Sequence, residues 1–251
     1  MNEKNRTVLV TGGSQGIGRQ ISVDLASLGY RIVIVNKSNK KNTKKVVDEI
    51  TEIGGKVFSF LCDLSKTEEI NHLFNFINKE IGNIDILINN AATFNPKPIE
   101  KITENDWNHE IDINLKACFF LIKACVPYMK KQRWGKIINI SSIAGIGGFP
   151  NCAPYCASKG GLNNMTKALC LELSEFGINV NAIAPGNIKT PMNETLRNDK
   201  EWCRKLRERT PTGDDFISPK EISGAVKFLI SEDAKFIHGA IVNVDAGWTA
   251  W

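Results

Sequence analysis

The sequence predicts an α/β protein: one doubly wound parallel sheet of about seven strands, flanked by helices. Three observations predict it. Short, continuously apolar runs alternate with helical patterns, which is how strands buried on both faces read. The residues that suggest chemistry fall at the carboxyl ends of those runs, where open α/β sheets bind ligands. No low-complexity linker divides the 251 residues, a length that one large α/β domain can use.

The first strand is TVLVT (Thr7–Thr11), followed by a glycine loop and a helix through IGRQISVDLASLG. RIVIVN (Arg31–Asn36) is the second, with a lysine-rich helix after it. KVFSFLCD (Lys56–Asp63) is the third and IDILINNAA (Ile84–Ala92) the fourth. A long helix follows over roughly Glu104–Lys131, then a fifth strand, GKIINISS (Gly135–Ser142). A helix over about Tyr155–Phe176 leads into the sixth strand, INVNAIAPG (Ile178–Gly186). AIVNVDAG (Ala240–Gly247) is the seventh. Right-handed crossovers wind such strands into one sheet. The chain reads as a single domain spanning 1–251, in which residues 7–186 hold the first six strands and 187–215 a polar, breaker-rich segment. Residues 216–251 supply a last helix, a strand and a tail.

Composition narrows the function. A hydrophobic fraction of 42% and a charged fraction of 24% fit a soluble globular protein. The net charge of +5 is mild, and its densest run, Asn36–Lys45, is short and free of aromatics, which argues against nucleic acid. No apolar run reaches the length of a membrane span, and no apolar signal region precedes the first strand. The seven cysteines form no CxxC pair, and His72, His109 and His238 are isolated. This argues against a metal site or a disulfide framework and points to reduced thiols in the cytoplasm.

TGGSQGIG (Thr11–Gly18) lies between a buried strand and a helix. Glycines there allow a tight turn and let backbone approach a pyrophosphate at the helix N-terminus, although a plain strand–helix turn reads the same way. APYCASKGG (Ala153–Gly161) carries a phenol and an ammonium four residues apart, hence on one helix face. Free tyrosine has a pKa of about 10, too high for a base near neutrality, and a nearby cation lowers it. The bland alternative is a packed Tyr155 and a solvated Lys159. Ser142 ends a strand thirteen residues before Tyr155, where a hydroxyl can stabilise charge on a substrate oxygen. Strand alternation turns Ser141 the other way.

The glycine loop, the NNAA after the fourth strand, the strand-end serine and YCASK together resemble the short-chain dehydrogenase/reductase family. The resemblance runs from Thr7 to about Gly247. It implies a single-domain Rossmann-type fold, a nicotinamide cofactor and interconversion of a ketone with a secondary alcohol. Two departures stand out: Ala92 where the family's NNAG has glycine, and VDAG where it often has D-G-G. The resemblance assigns Tyr155 as general acid in reduction and base in oxidation, tuned by Lys159, which also binds ribose. Ser142 polarises the carbonyl. Asn114 is implied to hold a proton-relay water; alone, it reads as a polar helix residue. The cofactor groove is implied to comprise Gly12, Ser14, Gln15, Gly16, Ile17 and Gly18, then Asn36, Lys37 and Ser38. Asp63 is implied to meet the adenine, and Asn90 and Ala91 to line the adenosine ribose side; Leu64, Ala92, Pro185, Gly186, Ile188 and Thr190 complete the groove.

An acid at the end of the second strand would bond a ribose 2′-hydroxyl and repel a 2′-phosphate. Asn36, Lys37 and Ser38 stand there instead, which favours NADP(H) over NAD(H). Within the family the likeness is closest to 3-oxoacyl acyl-carrier-protein reductases. Arg133 matches one of their carrier-gripping arginines, but Phe176 stands where the second is expected. That departure leaves a small free ketone, sugar or alicyclic alcohol open beside a carrier-bound thioester. A non-catalytic regulatory relative is the reading from another class, although such proteins typically lose the tyrosine or the lysine. Enoyl reductases of the superfamily separate the two more widely. Residues Pro185–Asp215, polar and rich in breakers, are implied to form a mobile substrate lid, with Trp202 as an anchor or a packing residue. A homotetramer is also implied. One interface would form through the helices around Glu104–Lys131 and Tyr155–Phe176. The two tryptophans of GWTAW would pack on a partner at another.

Overall fold

The computed structural model describes residues 5–38 and 40–250. Seven strands form one parallel sheet: β1 Thr7–Thr11, β2 Arg31–Asn36, β3 Val57–Leu61, β4 Ile86–Asn89, β5 Gly135–Ile140, β6 Ile178–Pro185 and β7 Ile241–Val244. Their order is β3-β2-β1-β4-β5-β6-β7. The chain runs outward from β1 in one direction and returns to place β4 on its other side. The two halves therefore diverge between β1 and β4, with Val8 opposite both Ile32 on β2 and Ile86 on β4. Such a reversal opens a crevice at the carboxyl ends of the strands.

The apolar runs read as strands because both faces are covered. Val8, Val10, Ile32, Ile34, Ile86 and Ile88 pack on one face with α1 (Gly16–Ser27) and α9 (Pro219–Ile230). Leu9, Val33, Val35, Leu87 and Ile137 pack on the other with α3 (Thr67–Glu80) and α5 (Ala117–Gln132). Alternate residues of each strand feed alternate layers, as the pleat requires. The remaining helices are α2 (Lys40–Glu52), α4 (Glu104–Ile111), α6 (Ala153–Leu173), α7 (Glu194–Arg197) and α8 (Lys200–Arg209).

The structure corrects several boundaries. Strands β3, β4, β5 and β7 end before the apolar runs do, so Cys62–Asp63, Asn90–Ala92, Ser141–Ser142 and Asp245–Gly247 leave the ladder. Of these, Cys62–Asp63, Asn90–Ala92 and Ser141–Ser142 line the crevice. The long helix expected over Glu104–Lys131 is not uniform: five residues, Asp112–Lys116, form a π-helical turn between α4 and α5. Single π turns commonly mark functional positions, because they free backbone groups from the regular ladder. The expected Tyr155–Phe176 helix starts two residues earlier and ends in a 3-10 turn, Ser174–Phe176. The breaker-rich segment after β6 holds a 3-10 turn and two helices, α7 and α8. Asp199 caps α8, accepting from the Glu201 and Trp202 amides at 3.0 Å each.

Candidate active site

A cleft of about 1010 Å³ opens along the carboxyl ends of the strands. Every site residue expected from the sequence lines it except Gly18 and Asn114, which stand behind its wall. The glycine loop forms its floor. Gly12 and Gly16 have φ of +64° and +53°, in the left-handed region that favours glycine. Gly18 is required by contact: a Cβ there would lie 2.3 Å from the Gly12 carbonyl oxygen and 2.5 Å from Asn90 Nδ2. No side chain caps the N-terminus of α1, so its first amides and its positive dipole end face the cleft, an arrangement suited to phosphate.

The loop is locked to β4 by residues the sequence argument used differently. Asn90 Nδ2 donates to the Thr11 and Gly12 carbonyls at 2.8 and 3.3 Å. Thr11 Oγ1 accepts from the Asn90 and Ala91 amides at 2.9 Å each. Asn90 thus works through its side chain as a brace for the loop. Thr11 was overlooked because a threonine closing a strand looks ordinary. Ala92 sits without positive φ, so alanine replaces the expected glycine there without backbone strain.

At the end of β2, Asn36 is buried and its amide donates to Thr43 Oγ1 at 3.1 Å. Lys37 and Ser38 are exposed. Lys37 Nζ pairs with Asp63 Oδ2 at 2.9 Å. Burial raises the Asp63 carboxyl, but hydrogen bonds from Lys37 and Ser65 outweigh it and hold the group below the usual range. Lys44 pairs with Asp48 on the solvated face of α2.

Deeper in the cleft, Tyr155 and Lys159 project from the first turns of α6. Tyr155 packs edge-on against Phe94, ring centroids 4.9 Å apart. Enclosure pushes the phenol up to about 12, partly opposed by a hydrogen bond from the Ser142 hydroxyl. Ser142 also accepts from the Ala144 amide at 3.1 Å, which fixes its rotamer. Ser141 turns away, its hydroxyl directed at the Lys159 carbonyl. Lys159 is fully buried; its Nζ donates to the Ile140 carbonyl at 2.8 Å and lies 5.7 Å from the Tyr155 ring centroid. Burial lowers its ammonium to about 8. From the four-residue spacing alone, Lys159 would pull the phenol down. Burial dominates both groups instead, raising the phenol and lowering the ammonium. In this geometry the phenol is a neutral acid at neutral pH.

Asn114 lies in the π turn. Its Oδ1 accepts from the Thr93 amide at 2.8 Å; its Nδ2 donates to the Thr93 carbonyl at 2.9 Å and to Ser158 Oγ at 3.2 Å. It therefore ties the loop after β4 to α6, one turn from Tyr155. Cys152 and Cys156 flank Tyr155. Burial pushes the Cys152 thiol up to about 11, which suits packing better than nucleophilic attack. All seven cysteines are free thiols. Among the described residues no group of three His, Cys, Asp or Glu side chains is placed to hold a metal. No helix there is long and apolar enough to cross a membrane.

Glu110 was missed altogether. It is 3% exposed, its Oε1 accepts from the Asn95 amide at 2.7 Å, and its Oε2 has no partner. Burial raises its pKa, with the Asn95 bond opposing. A glutamate at an interior helix position was the available signal. A carboxyl whose folded pKa exceeds its ordinary value destabilises the fold as pH rises past that value. Glu110→Gln should therefore gain stability relative to wild type as pH is raised from about 4.5 to 7, read as the difference in Tm. A difference independent of pH would show that the carboxyl titrates normally.

The far end of the cleft is closed by Phe149, Trp202, Leu206, Arg209 and Trp248. Trp248 is buried against Ile143 and Leu206 of its own chain, not held out for a partner as expected from GWTAW. Trp251 lies outside the described residues.

Known proteins are similar throughout. Residues 6–201 match the family model described as short chain dehydrogenase. A 3-oxoacyl-(acyl-carrier-protein) reductase from Staphylococcus epidermidis is 36% identical over 243 residues, covering 97% of this chain and 98% of that protein. Among solved structures, a putative gluconate dehydrogenase from Agrobacterium tumefaciens superposes with a TM-score of 0.93 at 33% identity, covering 97% of this chain and 95% of that one. A putative 2-deoxy-D-gluconate 3-dehydrogenase from the same organism, with bound NADP, gives 0.90 at 36%, covering 98% and 97%. A match this extensive in sequence and in fold means that the chain belongs to the short-chain dehydrogenase family of oxidoreductases.

Proposed function

We propose that this protein reduces a ketone to a secondary alcohol at the expense of NADPH, with Tyr155 as the proton donor. The observation that carries the reading is the convergence of Ser142, Tyr155 and Lys159 on the cleft whose floor is the glycine loop. The uncapped helix, the two left-handed glycines and the space that only Gly18 leaves free all fit a dinucleotide. A bound nicotinamide supplies the hydride chemistry. The protein's part is to hold the carbonyl oxygen against the Ser142 and Tyr155 hydroxyls and to deliver the phenolic proton as negative charge develops there. Lys159 anchors the ribose side and replaces the positive field lost with that proton. Asn114 keeps α6 and the loop after β4 in register and completes a proton path to solvent. In alcohol oxidation the same groups run in reverse. Ketone-dependent loss of reduced-nicotinamide absorbance, with NADPH and NADH assayed side by side, tests this. Cofactor binding without turnover over a broad ketone panel would favour a regulatory protein instead.

The preference for NADP(H) rests on the end of β2, where Lys37 and Ser38 are exposed and no acid stands. A 2′-phosphate would share Lys37 with Asp63. Lys37→Ala should raise the KM for NADPH about tenfold, the size of one charge-assisted hydrogen bond, and leave the KM for NADH within about twofold. Equal effects on both cofactors would remove the phosphate contact.

A small free substrate suits the surface better than a carrier-bound thioester. The Arg133 guanidinium is engaged with the Glu175 carbonyl at 2.7 Å, and the second expected arginine is Phe176, covered by Lys130 at 4.1 Å. Within this reading, residues 187–215 act as the lid of one domain spanning 1–251, and α7 and α8 are its moving parts. Its seven free thiols suit the reducing cytoplasm. Exposed Phe119 on α5 and Leu171 on α6, the latter 84% exposed, support a homotetramer built on those helices. A monomer mass by light scattering at micromolar concentration would remove that assembly.

A further inference from the structure

The helix α8 carries an unusual face over the far end of the cleft. Trp202, Lys205, Leu206 and Arg209 follow the i, i+3, i+4, i+7 spacing that puts residues on one side of a helix. All four line the cleft. Of these four only Leu206 is buried; Trp202, Lys205 and Arg209 are exposed and border the cleft, so two of the four positions there are cations. Lys205 and Arg209 put like charges at i and i+4 on that face, and Arg209 stands in the last turn, where a cation complements the helix dipole. The other arginines of α8 have carboxylate partners: Arg204 pairs with Glu208, and Arg207 with Asp215 at 2.6 Å. Lys205 reaches Glu201 at 2.8 Å on an exposed edge. Arg209 has no carboxylate partner among the described residues, and its guanidinium lies 4.7 Å from the Trp248 ring centroid. Stacking on that ring leaves the edge of the guanidinium, with its forked N–H groups, free to meet a ligand. No acidic side chain lines this end of the cleft; the one carboxylate in the lining, Asp63, is held by Lys37 at the opposite end.

We propose that the substrate carries a carboxylate remote from its reacting carbonyl, and that Arg209, assisted by Lys205, binds it. The aromatic walls between Tyr155 and Arg209, Phe94 and Trp248 among them, suit a compact apolar or ring-shaped stem joining the two groups. The planar fork of Arg209 matches a carboxylate in two parallel hydrogen bonds. The cations sit on the lid helix, so an anion bound there would also draw α8 over the reacting end. This inference rests on the ketone-reductase reading and names the substrate class of that same cleft.

The test uses a matched pair, 4-oxocyclohexanecarboxylate and its methyl ester, which differ in charge but share the ring ketone. The expected kcat/KM with NADPH is about tenfold higher for the acid. In Arg209→Gln the acid should lose that advantage while the ester changes less than about twofold; Lys205→Gln should act in the same direction, less strongly. A second arm needs no turnover. Cyclohexanecarboxylate and its methyl ester are titrated against the fluorescence of the wild type and of Arg209→Gln, in which Trp202 and Trp248 lie beside the proposed site. Tighter binding of the acid, lost in Arg209→Gln, upholds the proposal even if neither ketone reacts, in which case the reductase reading alone fails. Equal binding of acid and ester, or an acid preference that survives Arg209→Gln, overturns it. A preference shown by phenyl phosphate but not by the carboxylate overturns it in favour of a phosphorylated substrate.

Discussion

Tyr155→Phe is expected to lower kcat for ketone reduction by roughly three orders of magnitude, within the range lost with a positioned general acid. Phenylalanine keeps the ring that packs edge-on against Phe94, so the fold and the cleft should survive. Lys159 keeps its bond to the Ile140 carbonyl, and the glycine loop lies elsewhere. NADPH titration should therefore give a Kd within about threefold of wild type. Enclosure raises the phenol to about 12, so the proton is present at every pH near neutrality and the acid limb of reduction needs no base to be tuned. Below about pH 8 Lys159 is also charged, and above it that support fades. Near wild-type turnover by the phenylalanine variant would remove Tyr155 from the chemistry.

Gly18→Ala is expected to raise the KM for the cofactor about 100-fold, or ~2.7 kcal/mol, near the upper end of the cost of forcing an extra carbon into a packed site. The new Cβ would sit 2.3 Å from the Gly12 carbonyl oxygen. Backbone and the bracing Asn90 amide must both yield, and the loop that faces the phosphates moves with them. The chemistry at Tyr155 is untouched, so kcat at saturating cofactor should fall less than about threefold. An unchanged KM would show that the loop does not carry the cofactor.

The sheet was legible because its strands are buried on both faces: RIVIVN and INVNAIAPG admit few other readings. Strand ends were overextended for the same reason, since Asn90–Ala92 and Ser141–Ser142 continue the composition of the strand after leaving its ladder. The reactive pair was legible from its four-residue spacing, and its setting from the serine before it. The balance of charge at that pair was not. Whether Lys159 acts on Tyr155 depends on burial and on the Ile140 carbonyl, neither of which the spacing contains. The π turn at Asn114 was equally hidden, because DINLKA fits a regular helix as well as a bulged one. In the segment after β6, high charge concealed α8. Its buried face is only Cys203 and Leu206, and its cation-bearing face becomes meaningful only once Trp248 and the cleft stand opposite.

The central claim is that hydride passes from a reduced nicotinamide to a carbonyl carbon held beside Tyr155. It is tested most directly by reducing a ketone substrate with NADPH deuterated at the transferring position of the nicotinamide C4 and locating the label by mass spectrometry and NMR. The account predicts one deuterium on the carbinol carbon of the alcohol, none on its neighbours, and loss of product in Tyr155→Phe. Alcohol formed without the label, or labelled alcohol formed as fast by Tyr155→Phe, would contradict it.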